Sequence, residues 1–208
     1  MKSISRRIIV VSAFFLIGGG WLLSSAQEQA PQAQLPVLIT SCGQSPGANM
    51  LKAIFMRAKL EHESPAYELI MGATPDDLKT AADAGRPFKS IIIVMGASLK
   101  GMGAAGISID DELDRTAKLI QASQDQGITI IGAHIEGMKR RAQGAAPGDN
   151  TDELSIDAVA PNSDLLIINQ DGDSDGRFTN IAKQKNLPML TVTKNLELLE
   201  VVKKIYGQ

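Results

Sequence analysis

Six short apolar runs punctuate the chain, and they constrain its fold more than any other feature. They are 36–41 (PVLITS), 67–71 (YELIM), 90–96 (SIIIVMG), 128–133 (ITIIGA), 164–168 (DLLII) and 189–193 (MLTVT). Most are β-branched and apolar throughout, as expected of strands covered on both faces, the situation in a parallel sheet. Segments with helical spacing separate them, over 48–60, 75–85, 108–126, 151–159, 176–186 and 196–205. Ser108 and Asp111 form a capping-box pattern at the start of the third helix, and Gly127 follows its end. The alternation predicts an α/β fold, a single doubly wound three-layer sandwich around a mostly parallel six-stranded sheet. Flavodoxin-like and Rossmann-like strand orders both satisfy it.

The first 34 residues have a different character. Lys2, Arg6 and Arg7 precede the apolar run 8–23, and Ser24-Ser25-Ala26 supplies small residues at its exit. This predicts a signal peptide over 1–26 and export to the periplasm or the medium. Retention as an anchor is the alternative, but the run is near the lower limit for a span and Gly18-Gly19-Gly20 interrupts it. After cleavage no stable membrane span is expected. Residues 27–34, rich in Gln and Ala, read as a flexible linker, and 35–208 as the single α/β domain.

Cleavage after Ala26 leaves 18 basic against 23 acidic groups, a net charge of −5. With 4% aromatic residues and no basic excess, nucleic-acid binding is not expected. The scarcity of rings also disfavours a sugar-stacking site. The one cysteine, Cys42, has no partner for an intramolecular disulfide.

In doubly wound sheets, ligands bind beyond the carboxyl ends of the strands. Four polar, Gly-rich segments leave strands there, and each supplies candidates. The first, SCGQSPGAN, offers Ser41, Cys42, Gln44, Ser45 and Asn49 at the entry to a helix. A thiol there is a candidate nucleophile. The phosphatase-type loop is excluded, because the arginine required six residues after the cysteine is Ala48. The second, GASLKGMGAAGIS, offers Ser98, Lys100, Gly101 and Gly103 on a flexible flap able to close over an anion. Its G-x-G-x-x-G match lies too far from both strand and helix for a dinucleotide fingerprint.

The third segment carries His134 and Glu136, which share a face if the strand continues, and then Arg140 and Arg141. His134 is the candidate partner of Cys42 in catalysis, and the arginines are candidate anion anchors. The fourth carries Asn169 and then DGDSDG, where Asp171, Asp173 and Asp175 have the spacing that opens a calcium loop. A full EF-hand is excluded, because position twelve is Ala182 instead of Glu. No motif calls for an organic cofactor. A divalent cation on the three aspartates is the one inorganic candidate.

Through GQSPGAN, GASLKGMGAAGIS and GAHIEGMKRRAQG the chain resembles an uncharacterised family of secreted bacterial proteins with one α/β domain. The resemblance implies fold and compartment, and no catalytic residue comes with it. Three functional classes follow from the residues. The leading expectation is an exported protein binding a small polar or anionic ligand, anchored by Lys100, Arg140 and Arg141. The alternative is a hydrolase-type enzyme using Cys42 with His134, or a cation at Asp171–Asp175. The third is a module whose loops contact a protein partner.

Overall fold

The computed structural model describes residues 32–207 apart from 64, 147 and 148. The predicted signal peptide and most of the linker therefore lie outside the described residues. The strands are β1 (Val37–Ser41), β2 (Tyr67–Leu69), β3 (Ser90–Val94), β4 (Thr129–His134), β5 (Leu165–Asn169) and β6 (Met189–Val192). All pair in parallel in the order β2-β1-β3-β4-β5-β6. This is the flavodoxin-like of the two expected orders, extended by one strand. The helices are α1 (Gly47–Ala58), α2 (Pro75–Asp83), α3 (Leu99–Ala105), α4 (Ile109–Asp125), α5 (Thr151–Val159), α6 (Arg177–Lys185) and α7 (Leu198–Ile205).

Successive strand residues feed two separate cores, which is why the central strands are apolar at most positions, with no polar-out alternation. Val37, Ile39, Ile92 and Val94 face α1 and α7, where they meet Leu51, Phe55 and Val202. Leu38, Ile91, Ile93 and Ile130 face the other side and pack with Leu78, Leu119, Ile156 and Phe178 of α2, α4, α5 and α6. The capping box of α4 forms as expected, with Asp111 N–H donating to Ser108 Oγ at 3.1 Å and Ser108 N–H to Asp111 Oδ2 at 2.8 Å. Thr74 and Asp77 form a second one on α2.

Two expectations change. The predicted flap contains the helix α3, capped by Ser98, whose Oγ accepts from Gly101 N–H at 3.1 Å. The end of the predicted linker is tied down, with Ala33 N–H donating to Ile205 O and Ser90 Oγ to Gln34 O. That anchorage lies at the amino edge of the sheet, opposite the candidate loops.

Phe55 is 1% exposed and its ring lies 5.5 Å from that of Tyr67 and 5.7 Å from that of Tyr206. Phe55→Ala should lower unfolding free energy by about 3–5 kcal/mol, measured by urea denaturation, because the rigid sheet beneath cannot collapse into the cavity.

Candidate functional site

The chain runs from β1 outward to β2, then returns to β3 on the opposite side of β1. That reversal opens a crevice beyond the carboxyl ends of β1 and β3, where doubly wound sheets bind their ligands. A cleft of about 670 Å³ lies there. Gln44, Asn49, Ser98, Lys100, Arg140 and Asp152 supply its polar lining, and Met71, Leu99 and Ala104 its apolar part. Lys100 is exposed at the rim.

The segment after β1 is braced from two directions. On one side, Glu112 of α4 accepts Gly43 N–H at 2.6 Å and Gln44 Nε2 at 3.2 Å. Arg115 holds that carboxylate through Nε at 3.0 Å and Nη2 at 2.9 Å, and also donates to Ser41 O and Ala73 O. Burial would raise the Glu112 carboxyl, but the hydrogen bond and charge of Arg115 outweigh it and hold it below the usual range. On the other side, Ser45 Oγ donates to Glu136 Oε2, and Gly47 N–H donates to both groups at 3.1 Å. Arg140 closes this chain, with Nε 3.3 Å from Glu136 Oε1 and Nη1 donating to Ala97 O at 3.0 Å.

Ser45 and Glu136, 91 residues apart, are thus brought together in the geometry of a nucleophile and its base. Ser45 has no exposed surface, however, and the pair fastens the start of α1 through the Gly47 N–H.

Cys42 and His134 are corrected as a catalytic pair. The sheet order places β3 between their strands. Cys42 is fully buried and burial pushes its thiol up, the opposite of what a nucleophilic thiolate needs. His134 is fully buried too, its ring 4.9 Å from that of Phe178 and its Nε2 3.2 Å from Gly137 O. Burial pushes its pKa down, so it stays neutral. Nor do His134 and Glu136 share a face. The strand ends at His134, one ring packs on α6, and the carboxylate goes to the start of α1.

The acidic loop is spent on structure. Asn169 Oδ1 accepts from Asp171 N–H, and Asp171 Oδ2 from Met138 N–H. Asp173 takes the N–H groups of Phe178 and Thr179 at the start of α6. Asp175 binds Arg141 Nη2 at 2.7 Å. The loop must also pass close over His134, because a Cβ on Gly172 would stand 2.6 Å from His134 Cδ2. Among the described residues no group of three or more His, Cys, Asp or Glu is placed to hold a metal ion. The expectation of a cation on Asp171, Asp173 and Asp175 therefore finds no ligand set.

Sequence reasoning missed Asp152, Glu112 and Arg115. Asp152 reads as an ordinary first-turn acid of α5, yet it lines the cleft and its Oδ1 accepts from Ala97 N–H at 2.7 Å. Burial raises its carboxyl above the usual range. Glu112 left a legible signal, since it falls on the buried stripe of α4 with Thr116, Leu119, Ile120 and Ser123. A charge on such a stripe implies a buried partner.

The chain belongs to the family described as Domain of unknown function (DUF6305), whose model matches residues 34–206. No curated protein matches it. Solved structures similar to it include the psychrotrophic esterase EstA from Pseudoalteromonas sp., at 13% identity and a TM-score of 0.34, covering 76% of this chain and 77% of that one. An acetyl xylan esterase, AlAXEase, matches at 12% identity and a TM-score of 0.35, covering 81% and 85%. A GDSL-like lipase from Bacteroides thetaiotaomicron matches at 16% identity and a TM-score of 0.30, covering 76% and 71%.

The leading expectation, a binding protein for a small polar or anionic solute, is corrected here. Two of the three proposed anchors are already committed to the protein's own groups. Arg140 is held by Glu136 and Ala97 O, and Arg141, 1% exposed at its side chain, by Glu153 and Asp175. The flap that was to close over the solute is a capped helix, with Gly101 seated so closely on Gln44 O that a Cβ would stand 2.7 Å from it.

Arg141 holds Glu153 through Nε at 2.8 Å and also donates to Gly172 O. Arg177 Nε adds an ion pair to Glu153 at 3.2 Å, without hydrogen-bond alignment. Removing Arg141 leaves a mostly buried carboxylate with only the unaligned ion pair to Arg177 and the Ala142 N–H, so Arg141→Leu should cost about 3–5 kcal/mol in chemical denaturation. The hydrogen bond from Arg141 holds Asp175 at about 2, below its ordinary 3.8. A depressed carboxyl stabilises the fold above its unfolded value and loses that contribution as pH falls through its folded one. In the parent chain Tm should therefore drop between about pH 4 and pH 2, and Asp175→Asn should flatten that part of the profile.

Proposed function

We propose that the chain is an exported hydrolase that works in the crevice beyond β1 and β3, with Asp152 as the general base. The single observation that carries this reading is the position of Asp152, an ionisable carboxyl on the wall of the cleft at the point where strand order reverses. It replaces the Cys42–His134 pair and the acidic loop, whose groups the fold has already used.

The chemistry follows from the environment. Ala97 N–H fixes one carboxyl oxygen, and the neighbouring guanidinium of Arg140 is itself pinned by Glu136, so the base is held in one orientation. Partial burial raises its proton affinity, which brings a carboxylate closer to the range in which it draws a proton from water. The water oxygen attacks the carbonyl carbon of an ester as Asp152 takes its proton. The tetrahedral intermediate then expels the alkoxide, which receives that proton. Ester and water yield acid and alcohol, and Asp152 returns to its starting state.

The test is hydrolysis of small neutral esters, p-nitrophenyl acetate and butyrate, by chain 27–208. Asp152→Asn should lower kcat about 10²- to 10⁴-fold, with Tm at pH 7 equal to or above the parent's. The Tm expectation comes from the raised carboxyl, whose ionised form is the costly one in the folded state above its folded pKa. In the parent, kcat/KM should rise with pH through a value above the ordinary 3.8 of aspartate and then level off. A parent with no turnover, or a D152N variant that keeps it, overturns the reading.

A further inference from the structure

Among the described residues, three other than glycine have positive φ: Gln44 at 56°, Lys59 at 50° and Asn186 at 53°. Lys59 and Asn186 stand at the C-terminal ends of α1 and α6, where helices commonly finish in the left-handed region. Gln44 ends no helix. A Cβ makes that conformation unfavourable, and glycine adopts it most easily. A non-glycine residue held there without a capping role marks a place where the surrounding structure imposes the conformation.

The imposing structure is visible. Glu112 accepts both Gly43 N–H and Gln44 Nε2, and Arg115 locks Glu112 while reaching Ser41 O and Ala73 O. Gly101 of α3 covers the Gln44 carbonyl. The bond from Gln44 to Glu112 is not needed to satisfy that carboxylate, which already has Arg115 and Gly43 N–H. Gln44 meanwhile is a lining residue of two clefts, the 670 Å³ crevice with Asp152 and a second of about 550 Å³ beside Arg115. A carboxamide carries two N–H donors and one carbonyl, of which Glu112 engages one donor.

We propose that Gln44 contacts the substrate, its Nε2 donating a hydrogen bond to the ester carbonyl oxygen as that oxygen takes up negative charge. The inference rests on the hydrolase reading and assigns the group that complements Asp152. Fixed amide donors perform this task well because they need no reorganisation when charge develops. As water adds to the carbonyl carbon and its proton goes to Asp152, the carbonyl π pair moves to the oxygen facing Gln44. Collapse returns that pair and breaks the bond to the leaving alkoxide, which takes the proton.

The experiment compares Gln44→Gly, Gln44→Asn and Asp152→Asn with the parent chain by thermal denaturation and by kcat and KM on p-nitrophenyl acetate. Glycine relieves the backbone and removes the donor, so Q44G should keep or raise Tm while kcat falls about 10²- to 10³-fold, with KM changing far less. Asparagine tolerates the left-handed region and retains a carboxamide, so Q44N should recover part of the lost kcat. A Q44G variant with full kcat overturns the proposal, and so does one whose Tm falls, because the side chain would then serve the fold. Activity lost in D152N but kept in Q44G sinks the Gln44 assignment alone. A parent with no turnover sinks the hydrolase reading and this inference together.

Discussion

Burial of the sheet on both faces governs where this chain can do anything at all. Leu38, Ile39, Ile91, Ile92 and Ile131 are each fully enclosed, and every residue of β1 and β3 is buried, so the strands beneath the crevice send no side chain to solvent. Polar groups with access to a ligand must come from the segments beyond the strand ends. The order β2-β1-β3-β4-β5-β6 separates two of those segments and leaves a crevice between them. Segments rich in Gly, Ser and polar residues do not hold a shape unaided, because little apolar area is buried there to offset their chain entropy.

Two arginines, Arg141 buried and Arg115 half-buried, supply the missing order. Arg115 ties the segment after β1 to the one after β2 and to α4. Arg141 ties the segment after β4 to the acidic loop after β5 and to α5. In each case the guanidinium serves carboxylates and backbone carbonyls at once, a geometry suited to its planar array of donors. The two clamps flank the crevice, and Glu136, Arg140 and Ser45 fill the interval between them. Such a frame explains why so many promising polar residues prove unavailable. Arg141, Asp173, Asp175, Ser45 and Glu136 are the cross-links that hold the edge in shape.

The strands, the order of elements and the α4 capping box were legible in the sequence because each depends on local spacing. Apolar runs of five to seven residues between helical stretches have few other solutions. The position of the cleft was legible as well, since it follows from the topology class. Which of the edge residues would remain free was not legible, because that depends on pairings across 30 to 90 residues, such as Arg141 with Asp175 or Ser45 with Glu136. The DGDSDG segment shows the difficulty well. Spacing that would suit a cation also suits a turn that caps α6, receives Arg141 and passes over His134, and a local pattern cannot choose between them. The segment 98–106 misled for another reason. Its glycines suggested mobility, whereas Gly101 is small so that α3 can lie directly on Gln44.

Asp152 and Asp111 make the remaining distinction clear. Both stand in the first turn of a helix, and both accept a backbone N–H through their carboxylates. Asp111 receives its hydrogen bonds from Ser108, three residues away, is fully exposed, and has its carboxyl lowered by them. Asp152 receives its hydrogen bond from Ala97, 55 residues away, and burial raises its carboxyl. A local cap lowers the energy of the charged form and makes the acid inert near neutrality. A long-range bond at a partly dry cleft wall holds the same side chain while leaving its charge costly, and that cost is what gives a carboxylate an appetite for a proton. The fold therefore distinguishes the two aspartates by what lies behind each of them. The same reasoning singles out Gln44, which also lines the crevice and whose backbone sits in an unfavourable region beside the Glu112–Arg115 ion pair. An edge that keeps one acid poorly solvated and one backbone poorly relaxed, on residues lining the same crevice, has placed both unfavourable terms in one cleft.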